Sequence, residues 1–156
     1  MTDRGRRTEP VFIGGADRSG TTLAFALLAS HPNISMVRRT NMWRWFDGRF
    51  GDLAEPANLE AAIDALRRYR RLDQLDPDWD RVRRDVTAGP PTYARLFDSM
   101  HRQRAERLGR ARWGDKSLHT ECYADAVFRA YDLPRYSDHR LRIGPAWPFR
   151  RWEWFW

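Results

Sequence analysis

The sequence predicts an α/β fold, on three observations. A short apolar run, Val11-Phe12-Ile13, is the length of a buried strand and passes through glycines into an apolar helical stretch. Two glycines in that turn stand at the spacing Gly15-x4-Gly20, the first half of a nucleotide-binding loop. The middle of the chain then repeats apolar residues at three- and four-residue steps, the period of helices packed on a core.

Taken in order, residues 1–9 (MTDRGRRTE) are polar, lack the apolar core of a signal peptide, and read as a disordered lead. The strand at Val11 is followed by Gly14-Gly15, then Arg18-Ser19-Gly20-Thr21-Thr22, then a helix expected to reach about Ser30. A strand that turns sharply into a helix leaves backbone N–H groups without intrahelical partners, all aimed at the turn. Glycines let the backbone curl around an anion, and the helix dipole favours negative charge. Gly15, Arg18, Ser19, Gly20, Thr21 and Thr22 are therefore the expected phosphate-holding residues. Asp17 would repel phosphate if turned inward and is expected to point out. Thr21 stands where a nucleotide-triphosphate loop needs its lysine. His31 is expected to close the first helix.

Further along, Met42-Trp43-Arg44-Trp45-Phe46 packs three aromatics into five residues and reads as core. Leu59, Ile63, Leu66 and Tyr69 mark one amphipathic helix with its arginines outward. Gly89-Pro90-Pro91 breaks the chain, and Tyr93, Leu96, Phe97 and Met100 line another helix that runs to about Leu108. After the motif Arg112-Trp113-Gly114-Asp115-Lys116-Ser117-Leu118-His119, a last helix is expected from about Thr120 to Tyr131, with Tyr123, Val127 and Phe128 on one side. Lys116 is the only lysine in a chain of 156 residues rich in arginine.

The RSGTT loop, its apolar helix and the His31-Pro32 that ends it resemble the 5′-phosphosulfate-binding loop of sulfotransferases that use 3′-phosphoadenosine 5′-phosphosulfate (PAPS). The likeness is to the bacterial and tyrosylprotein-type branch and covers residues 11–131. It implies a P-loop-containing nucleotide-hydrolase-like parallel sheet with flanking helices, here incomplete, and sulfuryl transfer from PAPS to a hydroxyl or amine. It also implies that Arg18, Ser19, Gly20, Thr21 and Thr22 hold the 5′-phosphosulfate. The missing loop lysine is then no defect, because no magnesium-bound γ-phosphate has to be handled and no metal is implied. Related enzymes carry a similar WG(D/E)K(S/T) segment, so the resemblance places Lys116 by the leaving-group oxygen, where an ammonium neutralises developing charge. Their glutamate base, which follows the His-Pro, is absent: residues 33–41 (NISMVRRTN) hold no carboxylate. By motif, Asp115 and His119 are the nearest candidates to take the acceptor's proton.

Two other readings stay open. One is a nucleotide or small-molecule kinase, which the absent loop lysine disfavours. The other is a non-enzymatic remnant that keeps a phosphate loop. The net charge of +7 raises nucleic acid as a partner, but the arginines are interleaved with aspartates and glutamates and no recognition signature accompanies them. The sole cysteine, Cys122, excludes an internal disulfide and is expected to be small and buried. No apolar run reaches membrane-spanning length, so the chain is expected to be cytoplasmic. The acceptor, a small molecule or a peptide, is written in no motif, and neither is the oligomeric state.

Past Tyr131 the sequence DLPRYSDHRLRIGPAWPFRRWEWFW loses any period, and four of its last ten residues are tryptophans. The resemblance puts the central strand and the arginine that grips the 3′-phosphate here. Out-of-frame translation of GC-rich DNA yields such a mixture of Arg, Pro, Gly and Trp. Residues 10–131 thus read as the N-terminal part of a sulfotransferase-like domain, residues 132–156 as an atypical, out-of-frame tail that is poorly ordered or lacks a strand paired in the core sheet, and the chain as inactive. Resequencing the gene tests this: a frame shift just after the Tyr131 codon should expose an Ile/Val-rich strand ending in arginine. Immediate stop codons in both other frames would refute it.

Overall fold

The computed structural model describes residues 9–15, 19–117, 119, 122–131 and 153–155. The first eight residues, Asp17, Arg18 and most of the tail therefore lie outside the described residues. Strand β1 (Val11–Gly15) leads to helix α1 (Thr21–Ala29) and strand β2 (Ile34–Arg38). Helices α2 (Met42–Trp45), α3 (Pro56–Arg67), α4 (Trp79–Thr87) and α5 (Tyr93–Arg107) follow, with a 3-10 turn at Arg70–Leu72. Strand β3 (Arg112–Lys116), helix α6 (Ala124–Tyr131) and strand β4 (Glu153–Phe155) complete the order.

The sheet runs β2-β3-β1-β4. Strands β1, β2 and β3 are parallel, with Ile13 and Arg38 both opposite Lys116, and Phe12 and Val37 both opposite Asp115. Strand β3 thus enters the slot that β1 and β2 leave between them. Its Gly114 is required there: a Cβ would stand 2.4 Å from the Met36 sulfur and 2.7 Å from the Val11 carbonyl oxygen.

Strand alternation sorts the core into two layers. Val11, Ile13, Ile34 and Met36 are buried on the side of α1, where Phe25 and Leu28 pack on them. Phe12, Val37 and Trp113 face the opposite way, into a larger core with Leu59, Ile63, Leu66, Leu96, Phe97 and Met100 of α3 and α5. Met42, Trp43 and Phe46 belong to that core as expected, while Trp45 is exposed. Trp113 is its centre. It meets Phe12 edge-on at 5.5 Å, stacks on His101 at 4.2 Å, and donates its indole N–H to Asp98 at 2.8 Å.

Several elements differ from the sequence expectations. Residues Arg112–Lys116 are themselves a strand. Strand β2 lies in the stretch read only for its lack of a carboxylate. Helix α4 has just Val82 and Val86 as buried apolar residues, and Asp78 caps it by accepting from the N–H groups of Asp80 and Arg81. Helix α6 starts at Ala124, and Cys122 ahead of it is exposed, not buried. Of the residues after Tyr131 only Glu153–Phe155 is described, and against the expectation of no paired strand there it pairs antiparallel with β1, Ile13 opposite Phe155. The free edge of β1 offers unpaired N–H and C=O groups, and an aromatic-rich triplet has the β propensity to satisfy them.

His101 sits fully buried in this core, its Nδ1 against the Phe97 carbonyl and its Nε2 without a partner. Burial pushes its pKa down from 6.5 to about 4. A histidine with a depressed folded pKa contributes stability that is complete above 6.5 and is lost as pH falls towards 4, because the unfolded chain takes up the proton first. His101→Phe keeps the stack on Trp113 and removes the titration. Relative to that variant, the native chain should lose up to about 3 kcal/mol between pH 6.5 and 4, read by urea unfolding at each pH. A constant difference across that range would refute the assignment.

Candidate functional site

In a parallel sheet the carboxyl ends of the strands form one edge, and loops leaving that edge build ligand sites. Here Gly15, Arg38 and Lys116 end the three parallel strands at that edge. The loops that follow carry residues 16–20, residues 39–41 and the turn through Ser117 and His119.

The first loop opens α1. Gly15 has φ 150° and Gly20 φ 93°, both conformations that glycine permits and most side chains do not. Gly20 is the helix cap, and no side chain supplies the cap hydrogen bond. The first intrahelical bonds come from the Leu23 and Ala24 N–H groups to the Gly20 carbonyl, so the earlier N–H groups face out of the helix end. Thr21 is buried and Thr22 exposed. The Ser19 hydroxyl is buried without a hydrogen-bond partner. No acidic residue occupies the first turn. An orphaned hydroxyl beside an uncapped helix N-terminus, with two glycines in the approach, fits a phosphate or sulfonate group. Ser30 caps the other end, and His31 follows it, its N–H bonded to the Leu28 carbonyl at 3.1 Å and its Nδ1 accepting the Asn33 N–H at 3.2 Å.

The pleat sends Asp115 and Lys116 to opposite faces of β3. Lys116, 6% exposed, lies in register with Ile13 and Arg38 on the face that α1 covers, the same face as the loop. Arg38 extends over the Phe25 ring of α1 at 6.0 Å, which brings a second cation to this edge. The sequence reading missed Arg38. Recognising ISMVR after the His-Pro turn as a strand would have placed it.

Asp115 is on the other face, 4% exposed. Its Oδ2 accepts the Thr40 hydroxyl at 2.7 Å and the Ser117 hydroxyl at 2.8 Å, while Oδ1 has no partner. Ser117 Oγ in turn accepts the Asn41 N–H at 3.0 Å, and the Arg39 N–H bonds the Lys116 carbonyl at 2.7 Å. Arg39 and Asn41 both have positive φ (60° and 51°), so this corner is held in a conformation that costs energy without its bonds. Thr40, fully buried, was not singled out from sequence, since only the fold brings positions 75 apart into contact, and Ser117 entered only as part of the motif. His119, with φ 60°, sits partly exposed in the turn beyond β3. Ser19–Thr22 thus follow the end of β1, Lys116 ends the adjacent β3 on the face that α1 covers, and Asp115 is on the opposite face; Arg18 lies outside the described residues.

A model of the sulfotransferase family matches residues 10–136. That span is most of the chain. The chain belongs to the sulfotransferase family. Neither a curated protein sequence nor a solved structure matches it. Family membership implies a P-loop-like fold, in accord with the parallel strands and flanking helices, and sulfotransferases generally draw their sulfuryl group from PAPS. Among the described residues no group of three or more His, Cys, Asp or Glu side chains could hold a metal ion, and no helix is long and apolar enough to cross a membrane.

Burial raises the Asp115 carboxyl from 3.8 to about 6, against the pull of the Thr40 and Ser117 hydroxyls. A raised carboxylate acts with the opposite sign to His101. The folded state keeps the proton between 3.8 and 6, so the group costs stability as pH rises through that window. Asp115→Asn keeps an oxygen for the two hydroxyls and never ionises. Its stability relative to the native chain should rise by up to about 3 kcal/mol from pH 4 to 6.5, measured by urea unfolding. A difference that stays flat, or falls, would show that Asp115 is not held as a neutral acid.

Proposed function

We propose that this chain transfers a sulfuryl group from PAPS to a hydroxyl or amine of a small acceptor in the cytoplasm. The reading is supported by the uncapped α1 terminus with its orphaned Ser19 hydroxyl after β1, and by the buried Lys116 that ends the neighbouring β3 on the face α1 covers. When bound, PAPS supplies an already activated sulfuryl group. Ser19, Thr21, Thr22 and the first amides of α1, with Arg18, hold its 5′-phosphosulfate end. Lys116 stabilises negative charge that develops on the leaving oxygen, and a low-dielectric position makes one ammonium count for more there. Arg38 adds positive potential at the same edge and draws the anionic co-substrate in.

The proton of the acceptor is assigned to His119. Asp115 has one oxygen occupied by two hydroxyls and almost no exposed surface, so its work is to hold the 39–41 corner against β3. That bracing fixes the backbone on both sides of Lys116.

Thermal-shift titration separates the alternatives. 3′-Phosphoadenosine 5′-phosphate should stabilise the protein more than ATP with magnesium does. Arg18→Ala should weaken that binding by roughly 1.5–3 kcal/mol, the worth of a charge-assisted contact, and Ser19→Ala by about 1 kcal/mol. Equal stabilisation by ATP and magnesium, or full binding in both variants, would overturn the reading in favour of a kinase or a remnant loop.

A further inference from the structure

A hollow of about 550 Å³ lies between the segment after α2, the start of α5 and the end of α6, within the size range of small-molecule sites. It is at the level of the functional edge. His101 stacks on Trp113, and α5 runs opposite to β3; from His101 back to Tyr93 is about 12 Å of helix. From Trp113 on to Lys116 is about 10 Å of strand. Tyr93 is therefore level with the carboxyl end of β3, on the face of the sheet opposite α1. Trp43, which also lines the hollow, comes two residues after Asn41, whose N–H is bonded to Ser117.

The lining has a definite chemistry. Its floor is apolar: Trp43, Leu53 and the ring of Tyr93. The Tyr93 hydroxyl is spent on its own scaffold, accepting the Phe50 N–H at 2.8 Å and donating to the Gly51 carbonyl at 3.1 Å, so the ring and not the hydroxyl is on offer. The rim carries Asp47 and Asp52 against a single guanidinium, Arg129. Asp52 Oδ1 accepts the Ala54 N–H at 2.9 Å, which leaves its other oxygen. Partial burial lifts the Asp47 carboxyl above its usual range, with Arg129 pulling the other way. On a chain of net charge +7, a cavity whose carboxylates outnumber its cations is a local reversal of sign.

We propose that this hollow seats the acceptor, and that the acceptor is a small hydroxyl-bearing organic cation. Its apolar or aromatic body lies on Trp43, Leu53 and Tyr93, and its ammonium end faces Asp47 and Asp52. The aromatic floor adds cation–π attraction to the carboxylates. The seating leaves the hydroxyl end for the edge that carries Lys116. This assignment rests on the sulfuryl-transfer reading for the role of the ligand, though not for its binding.

Three phenols that differ only in their charged end test it on the full chain, without nucleotide: tyramine, p-cresol and 3-(4-hydroxyphenyl)propionate. Binding is followed by NMR at the Trp43 indole N–H, which Trp43→Phe identifies. Tyramine should bind about fivefold to tenfold more tightly than p-cresol, and the propionate most weakly. The double variant Asp47→Asn/Asp52→Asn should erase that order, with its fold checked by circular dichroism, and Arg129→Gln should tighten tyramine. Equal affinity for the three phenols, no response at Trp43, or a preference that survives in the double variant would overturn the proposal. Failure here with 3′-phosphoadenosine 5′-phosphate still bound sinks the acceptor assignment alone. Tyramine binding in a chain that ignores that nucleotide overturns the acceptor role and the transfer reading together.

Discussion

Strand β3 lies between two strands that precede it in the chain, and it fits only because Gly114 has no side chain. Met36 on one flank and the Val11 carbonyl on the other come closer to that position than any Cβ could tolerate. From this close fit the site follows. It aligns the carboxyl ends of β1, β2 and β3, with Ile13 and Arg38 both opposite Lys116. It also sets the alternation that turns Lys116 towards α1 and Asp115 towards Phe12 and Val37. A slip of one residue would exchange the two, exposing the ammonium to the aromatic core and turning the carboxyl to the α1 face.

The two faces of the sheet do different electrostatic work. On the α1 face the helix terminus, Lys116 and Arg38 accumulate positive potential at one rim. On the opposite face a carboxyl is enclosed and braced by hydroxyls. Were Asp115 on the loop face, its charge would cancel that of Lys116. Behind the strand it serves instead as the knot between the turn after β3 and the 39–41 loop, whose backbone is strained at Arg39 and Asn41. His101, a second buried titratable group, lies under Trp113 in the same layer, so two groups in one core oppose each other in their response to acid.

What could be read from the residues was what local physics encodes. The glycine-flanked turn into α1, the apolar stripes of α3 and α5 and the Met42–Phe46 core contribution all follow from period and composition. Strand β2 escaped because ISMVR is short and its end carries arginine. Helix α4 escaped because two valines among charged residues give little apolar signal, although Asp78 announces its start. The Thr40–Asp115–Ser117 knot was out of reach for another reason: it joins positions whose neighbourhood exists only once β3 has found its slot. The pairing of Glu153–Phe155 with β1 was likewise invisible in a segment without period, because an edge accepts backbone, and any extended triplet supplies that.

The strand order also governs how the chain reaches its native state. β1 and β2 are not neighbours; each pairs with β3, which follows β2 by more than seventy residues. During synthesis β1 and β2 emerge without the strand that pairs with both, and the contacts of short sequence separation are those of α1 with each strand and those among α2 to α5. Closing the sheet therefore waits for the RWGDK segment to arrive, and it carries the loop entropy of that whole helical insertion. Until then two apolar strand edges remain open, the stage at which such a chain is most prone to self-association. The residue that brings the ammonium to the site thus belongs to the segment that ends this vulnerable interval.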